Sequence, residues 1–329
     1  MRRIALGSAV AFATACGSGG GGGGGESTGT SSGGGGIMTI GEGGPKLDAL
    51  VDESGTGAGE GMGELGCEKV DFLFVIDSSH SMETNQAALI ASFPEFVSAI
   101  QGTLTDVSSY HVAVVTSDAY EFNDPQCTEI GASVTQTDGE NSNGQTCTPF
   151  ATSARFLTDE DDLPTQFACI AQVGTDGDND ERMLAAATAA LSPELNAAGG
   201  CNEGFLRDDA LLVMVLITDE DDPGTCVNGN ESCNGSPGDP MEWFEEVVAR
   251  KGDHPENAVV LSLTRGAPGN VCGPAEGTEK NGARVMEFAL FFGPTGLVGD
   301  ICQDSFGAFF DEAVGLIDSA CGGFIPPVG

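Results

Sequence analysis

Residues Asp77-Ser78-Ser79-His80-Ser81 place one carboxylate and two hydroxyls at alternate positions of a single short turn. Oxygen donors of this kind suit the hard divalent cations Mg²⁺, Mn²⁺ or Ca²⁺, and hydroxyls supply ligand atoms without adding charge. Asp219 follows the apolar run Ala210–Ile217 and offers a second carboxylate at the end of that segment. By itself an Asp-x-Ser-x-Ser turn also serves to cap a following helix, so its weight comes from where the chain puts it. A different chemistry for the same serines is nucleophilic attack, which needs a base held by a third group. His80 is adjacent in sequence and strained for that role, and His111 opens a segment expected at the opposite end of a sheet. There is no Gly-x-Ser-x-Gly elbow, phosphate-binding loop or zinc signature. Cation binding is therefore the first reading and hydrolysis a lesser alternative.

The elements that must hold these residues alternate in type. Val70–Ile76 is a short apolar run broken only by Asp71, as in a strand buried on both faces. Helical spacing of Leu89, Ile90, Phe93, Phe96, Val97 and Ile100 follows over 83–101. Strands are expected at 112–115, at an edge near 155–157, and at 210–217, 258–263 and 297–301. Helices are expected at about 159–171 (capped by Thr158 or Asp159), 181–191, 240–251, 282–291 and 304–319. This pattern predicts an α/β fold with a doubly wound, mostly parallel central sheet and helices on both faces. The Asp77 turn then falls after a buried strand and before a helix, beyond the carboxyl ends of the strands, where such sheets bind ligands. Asp118, after the second strand, reaches the same rim as a second-shell acceptor or simply forms an Asx turn. Asp221 and Asp222 read as solvated loop acids.

The N-terminus and the cysteines indicate a compartment. Arg2 and Arg3, the apolar stretch Ile4–Ala13, and Ala13-Thr14-Ala15-Cys16 have the order of a signal peptide ending on a lipobox-like cysteine. The expectation is a signal peptide at 1–15 and an exported chain lipidated on Cys16, anchored to the cell envelope by lipid alone. Residues 16–66, rich in Gly, Ser, Thr and Glu, read as a disordered tether; 67–322 is one domain and 323–329 a short tail. Ten of the eleven cysteines remain after Cys16, scattered singly, which favours five disulfides in an oxidising compartment over a zinc site. Cys67–Cys321 would tie the domain ends, and Cys127–Cys147 and Cys226–Cys233 would staple long surface loops at 119–153 and 222–239. With 12 basic against 50 acidic residues, the chain repels phosphate backbones, and nucleic acid is excluded as a partner.

Asp77-x-Ser79-x-Ser81 with Asp219 after a later strand resembles the metal-ion-dependent adhesion site of von Willebrand factor type A and integrin inserted domains. Gly204–Ala210 leading into Ile217–Asp222 is similar to exported type A domains of myxobacteria. The resemblance covers nearly all of 67–321 and implies a fifth ligand, Thr175 in Val173-Gly174-Thr175-Asp176-Gly177. Because the helix after it begins late, Asp176, Asp178 or Asp180 stand as substitutes. It further implies a bound divalent cation, foremost Mg²⁺, completed by an exposed Asp or Glu of a partner protein. A passive surface lipoprotein with a structural cation is the alternative.

Overall fold

The computed structural model describes residues 66–178, 181–222, 235–269, 271 and 281–327. Residues 1–65 with Cys16, Asp180 and the Cys226–Cys233 pair lie outside the described residues.

Three apolar runs form the centre of the sheet because parallel strands covered on both faces need no polar side. β1 (Lys69–Ile76) is flanked in parallel by β2 (Ser109–Thr116) and β4 (Leu211–Thr218), and all eight residues of β4 are buried. β5 (Ala258–Thr264) and β6 (Gly296–Asp300) extend the sheet in parallel, and the two-residue β3 (Leu157–Thr158) closes the other edge antiparallel to β2. The order is β3-β2-β1-β4-β5-β6. This is the doubly wound α/β fold that the resemblance to type A domains implies.

Alternate residues of each strand feed two separate cores, as the two-residue pleat requires. Val70, Phe72, Phe74 and Ile76 face one layer, and Leu73 and Val75 the other. The first layer holds α1 (Glu83–Thr103), α2 (Leu163–Ala171) and α7 (Gly307–Gly322). There Phe93 stacks on Phe167 at 3.5 Å between ring centres and Phe96 on Phe310 at 4.5 Å, which locks α1 against both neighbours. The second layer holds α3 (Met183–Ala190), α5 (Pro240–Arg250) and α6 (Ala283–Phe291), with Trp243 buried among them. The short α4 (Pro193–Asn196) follows α3.

Two expectations are corrected. The helix expected from 159 starts at Leu163, because Asp161 is diverted: one carboxylate oxygen accepts from the Thr158 amide and hydroxyl, the other from the Ala151 amide. Those bonds make a turn that joins β3 to the 150s loop, and a helix cannot also use them. Cys67–Cys321 is present, but Cys127 bonds Cys201 and Cys147 bonds Cys169 in place of a Cys127–Cys147 staple. The 119–153 segment is not a loop closed on itself. Asn202 bonds Ser133 and Gly131, drawing Cys127 to the α4 side, while Asn143 donates to the Cys169 carbonyl and draws Cys147 to the end of α2. Cys302 is disulfide-bonded as well. Among the described residues no helix is long and apolar enough to cross a membrane.

Candidate metal centre

Sheet order reverses between β1 and β4, and the crevice at such a switch point is where doubly wound sheets bind ligands. Asp77 follows β1 and Asp219 follows β4, so the two carboxylates arrive at that crevice from adjacent strands. The turn after β1 folds back because the Ser79 amide donates to Asp77 Oδ1 at 2.7 Å, an Asx-type bond that also aims the following serines at β4. Ser79 Oγ lies 3.3 Å from Ser81 Oγ, and Ser81 Oγ donates to Asp219 Oδ1 at 2.8 Å. Four of the five expected ligands, Asp77, Ser79, Ser81 and Asp219, are thus brought together. Asp77 is fully buried at the floor, while Ser81 is exposed at the mouth. His80 points away as an exposed side chain.

The fifth, Thr175, is placed in the adjoining loop but makes no hydrogen bond to the other four. Its amide and hydroxyl both donate to the Glu140 carbonyl, and the hydroxyl accepts from Asn141. The two loops are nonetheless joined. Gln86, from the inner face of α1, donates to the carbonyls of Asp77 and Gly174 and accepts from the Gly174 amide. Gly174 has φ +85°, a conformation open to glycine, and a Cβ there would collide with the Glu140 carbonyl. A Cβ on Gly177 would run into Ser78 Oγ, so the loops pack backbone to side chain. Of the substitutes for Thr175, Asp176 accepts from the Glu140 amide, and Asp178 donates its amide to Asp118. Asp118 also accepts from Ser78 Oγ at 3.2 Å, so it braces the residue between Asp77 and Ser79.

The electrostatics are one-sided. Burial pushes the Asp77 carboxyl up to about 6, and the neighbouring Asp219 charge adds to that, against the bonds from Ser79 and Thr218. Sequence reasoning missed Glu181, buried just before α3, whose carboxyl is pushed up to about 8 by burial and then by Asp77, Glu220 and Asp219. It sits in an acid-rich stretch with nothing to set it apart. Thr218, which donates to Asp77 Oδ2 at 2.7 Å, was also missed. Gln86 did carry a signal: it stands three residues before Leu89 and seven before Phe93, a polar residue on the core-facing stripe. Among the described residues no Lys, Arg or His pairs with Asp77, Asp219 or Glu181.

No group of three or more His, Cys, Asp or Glu side chains is placed to hold a metal among the described residues. The donor set here is of another composition, two carboxylates with hydroxyls. Asp77 accepts at Oδ1 from the Ser79 amide and at Oδ2 from the Thr218 hydroxyl, and each carboxylate oxygen can accept more than one bond. Such a set fits a hard cation that keeps some of its water, as Mg²⁺ does. His111 lies at the far end of the sheet, in register with Asp71 and bonded through Nδ1 to the Phe205 carbonyl. Asp221 and Asp222 are not solvated as expected. Both are buried: Asp222 accepts from the Leu184 amide and from Ser236, and Asp221 accepts from the Arg284 amide.

Compared with known proteins, the chain matches no family model and no curated protein. Solved structures similar to it include proximal thread matrix protein 1 of the mussel byssus, at 12% identity and TM-score 0.39, covering 76% of this chain and 49% of that one. A von Willebrand factor type A protein from Catenulispora acidiphila is similar at 15% identity and TM-score 0.38, covering 75% and 42%. The pilus adhesin SpaC of Lactobacillus rhamnosus GG, in an open conformation, is similar at 12% identity and TM-score 0.40, covering 76% and 30%. The chain therefore spans half or less of each of these proteins, and at such scores the likenesses carry no argument about activity.

Proposed function

We propose that the chain is a cation-dependent protein-binding module of the cell envelope, holding Mg²⁺, or Mn²⁺ or Ca²⁺ in its place, through Asp77, Ser79, Ser81, Thr175 and Asp219. The observation that carries this reading is the meeting of two carboxylates and two hydroxyls at the β1–β4 crevice, with no basic side chain among the described residues paired to either acid. Buried carboxylates without a counter-charge are costly, and a divalent cation supplies that charge. A cation held by these residues would supply the positive charge that an exposed Asp or Glu of a partner could meet. The residues of the chain do the positioning. Thr218 and the Ser79 amide hold Asp77, Gln86 fixes the Thr175 loop against the Asp77 loop, and Asp118 holds Ser78. Ser81, exposed at the mouth, leaves the partner's route open.

Cys67–Cys321, Cys127–Cys201, Cys147–Cys169 and the bonded Cys302 support an oxidising compartment, in keeping with export and a lipid anchor on Cys16. Mass spectrometry of the mature N-terminus tests the anchor, since an unmodified N-terminus beyond Cys16 rules it out. For the site, calorimetric titration with Mg²⁺ and Mn²⁺ should give one bound cation per chain, lost in Asp77→Ala with the fold retained. Cation-dependent capture of a surface protein, abolished by chelator, then separates a binding module from a passive domain with a structural cation. Absence of cation binding by the native chain overturns the proposal.

A further inference from the structure

An open groove of about 540 Å³ runs from the candidate metal centre between α1 and the loop after β6, within the size range of ligand sites. Ser81 and Asp219 form its inner end, and Asn85, Gln303, Asp304 and Arg265 line the rest. Arg265 is placed there by register. Thr264 at the end of β5 pairs with Thr218 at the end of β4, so Arg265 follows β5 as Asp219 follows β4. The chain carries 50 acidic against 12 basic residues. Among the described residues Lys69, Arg155, Arg207 and Arg250 each pair with a carboxylate, and Lys251 and Arg284 are held by carbonyl oxygens. The side chains of Arg182 and Arg265 make neither an ion pair nor a hydrogen bond, and each has its Nε shut off from solvent without an acceptor; of the two, Arg265 lines this groove. Asp219 and Asp304 share the groove, but neither comes within ion-pair distance of its guanidinium. A partly enclosed guanidinium with an unmet donor favours a carboxylate, which it can engage through two parallel bonds.

We propose that this groove receives an acidic segment of a partner protein carrying two carboxylates, one for the cation held by Asp77, Ser79, Ser81 and Asp219 and one for Arg265. The proposal rests on the cation-dependent reading of the site and adds a specificity element to it. A single acidic side chain would be accepted weakly, and a paired acidic motif would be selected. Arg265 supplies a complementary charge on the groove side of the crevice, where Asp219 and Asp304 are the charged neighbours.

The test uses the full chain and labelled Gly/Ser peptides of one length, carrying either one Glu or a second Glu two, three or four residues away. Binding is followed by fluorescence anisotropy in Mg²⁺. At least one two-Glu peptide should bind roughly fivefold tighter than the one-Glu peptide, the size expected of a partly exposed ion pair. Added salt should erode that preference. Arg265→Ala should remove it, and Arg265→Lys should keep part of it. Neither change should weaken binding of the one-Glu peptide or of Mn²⁺ measured by calorimetry. Equal binding of one-Glu and two-Glu peptides, or a preference that survives Arg265→Ala, overturns the inference and leaves the metal site standing. If the one-Glu peptide fails to bind, or binds equally in chelator, the reading of the site fails and this inference falls with it.

Discussion

β1 carries a buried aspartate at each end, and the two are treated in opposite ways. Asp71, at the amino end, receives the Arg207 guanidinium and amide at 2.7 Å each, with His111 in register beside it and Lys251 near enough to add its charge. Lys251 itself is held by the carbonyls of Arg207 and Ala210. Asp77, just past the carboxyl end, meets only an amide and a hydroxyl, and its charged neighbours are Asp219 and Glu181. Burial raises both carboxyls to about 6, but only the first has its compensating charges inside the protein. The amino end is a closed structural lock, whereas the carboxyl end is electrically incomplete. That difference, rather than the presence of buried acids, is what singles out the second as the candidate site.

The largest effect expected is at the lock. Arg207→Met leaves Asp71 buried without its cation and should destabilise the fold by about 3–5 kcal/mol, read as a lower denaturant midpoint with an unchanged slope. Asp77→Asn, measured in chelator, should do far less or even stabilise. Equal losses at the two ends would erase the distinction between them.

A second effect follows from proton linkage. For Asp77 the folded pKa lies above the ordinary 3.8, so the folded protein retains a proton that the unfolded chain has released, and stability falls as pH rises. The window runs from 3.8 to about 6, and at roughly 1.4 kcal/mol per pKa unit the loss is about 3 kcal/mol. Glu181 extends the same fall from 4.5 toward about 8. Asp77→Asn should remove its own share of the lower part of the curve, leaving that of Asp71, and Glu181→Gln should flatten the upper part. Mg²⁺ should offset the fall, so that its stabilisation is greater at pH 8 than at pH 5 in thermal melts. A cation effect independent of pH would argue against these carboxylates as its binders.

Smaller effects should come from the groups that hold the loops in place. Gln86→Ala removes three hydrogen bonds between the Asp77 and Gly174 loops. It should lower stability by about 1–2 kcal/mol and weaken Mn²⁺ binding at the same time. The smallest expected effect is that of Thr175→Ala. Its buried hydroxyl bonds Asn141 and Glu140, so stability should fall by about 1 kcal/mol, while Mn²⁺ affinity drops roughly fivefold. Thr175→Ser should retain that affinity. Unchanged affinity in Thr175→Ala would remove Thr175 from the ligand set and leave the other four.

The alternation of apolar runs with helical stripes was enough to place each strand and most helices within a few residues, because burial on two faces demands continuous apolar strands and burial on one face demands a periodic helix. The same logic put Asp77 and Asp219 at strand ends, and strand ends are where this topology opens its crevice. Local sequence could not say which parts of the acidic loops fold inward. Asp161, Asp221 and Asp222 look alike in the chain, yet Asp161 folds back on the amides of Thr158 and Ala151, while Asp221 and Asp222 bond amides of α6 and α3. The disulfide partners of Cys127 and Cys147 were equally hidden, since Asn202 and Asn143 decide them from outside the loop. Glu181 became part of the site only when α3 was packed beside β1, and Arg265 only when β5 was set in register with β4. The sequence by itself determined which residue types could bind a cation and which strands would carry them, since both follow from chemistry and from short-range pattern. Tertiary structure alone decided which charges went unpaired, because pairing depends on distances between segments that only the fold brings together, as it brings Arg207 to Asp71 across 136 residues.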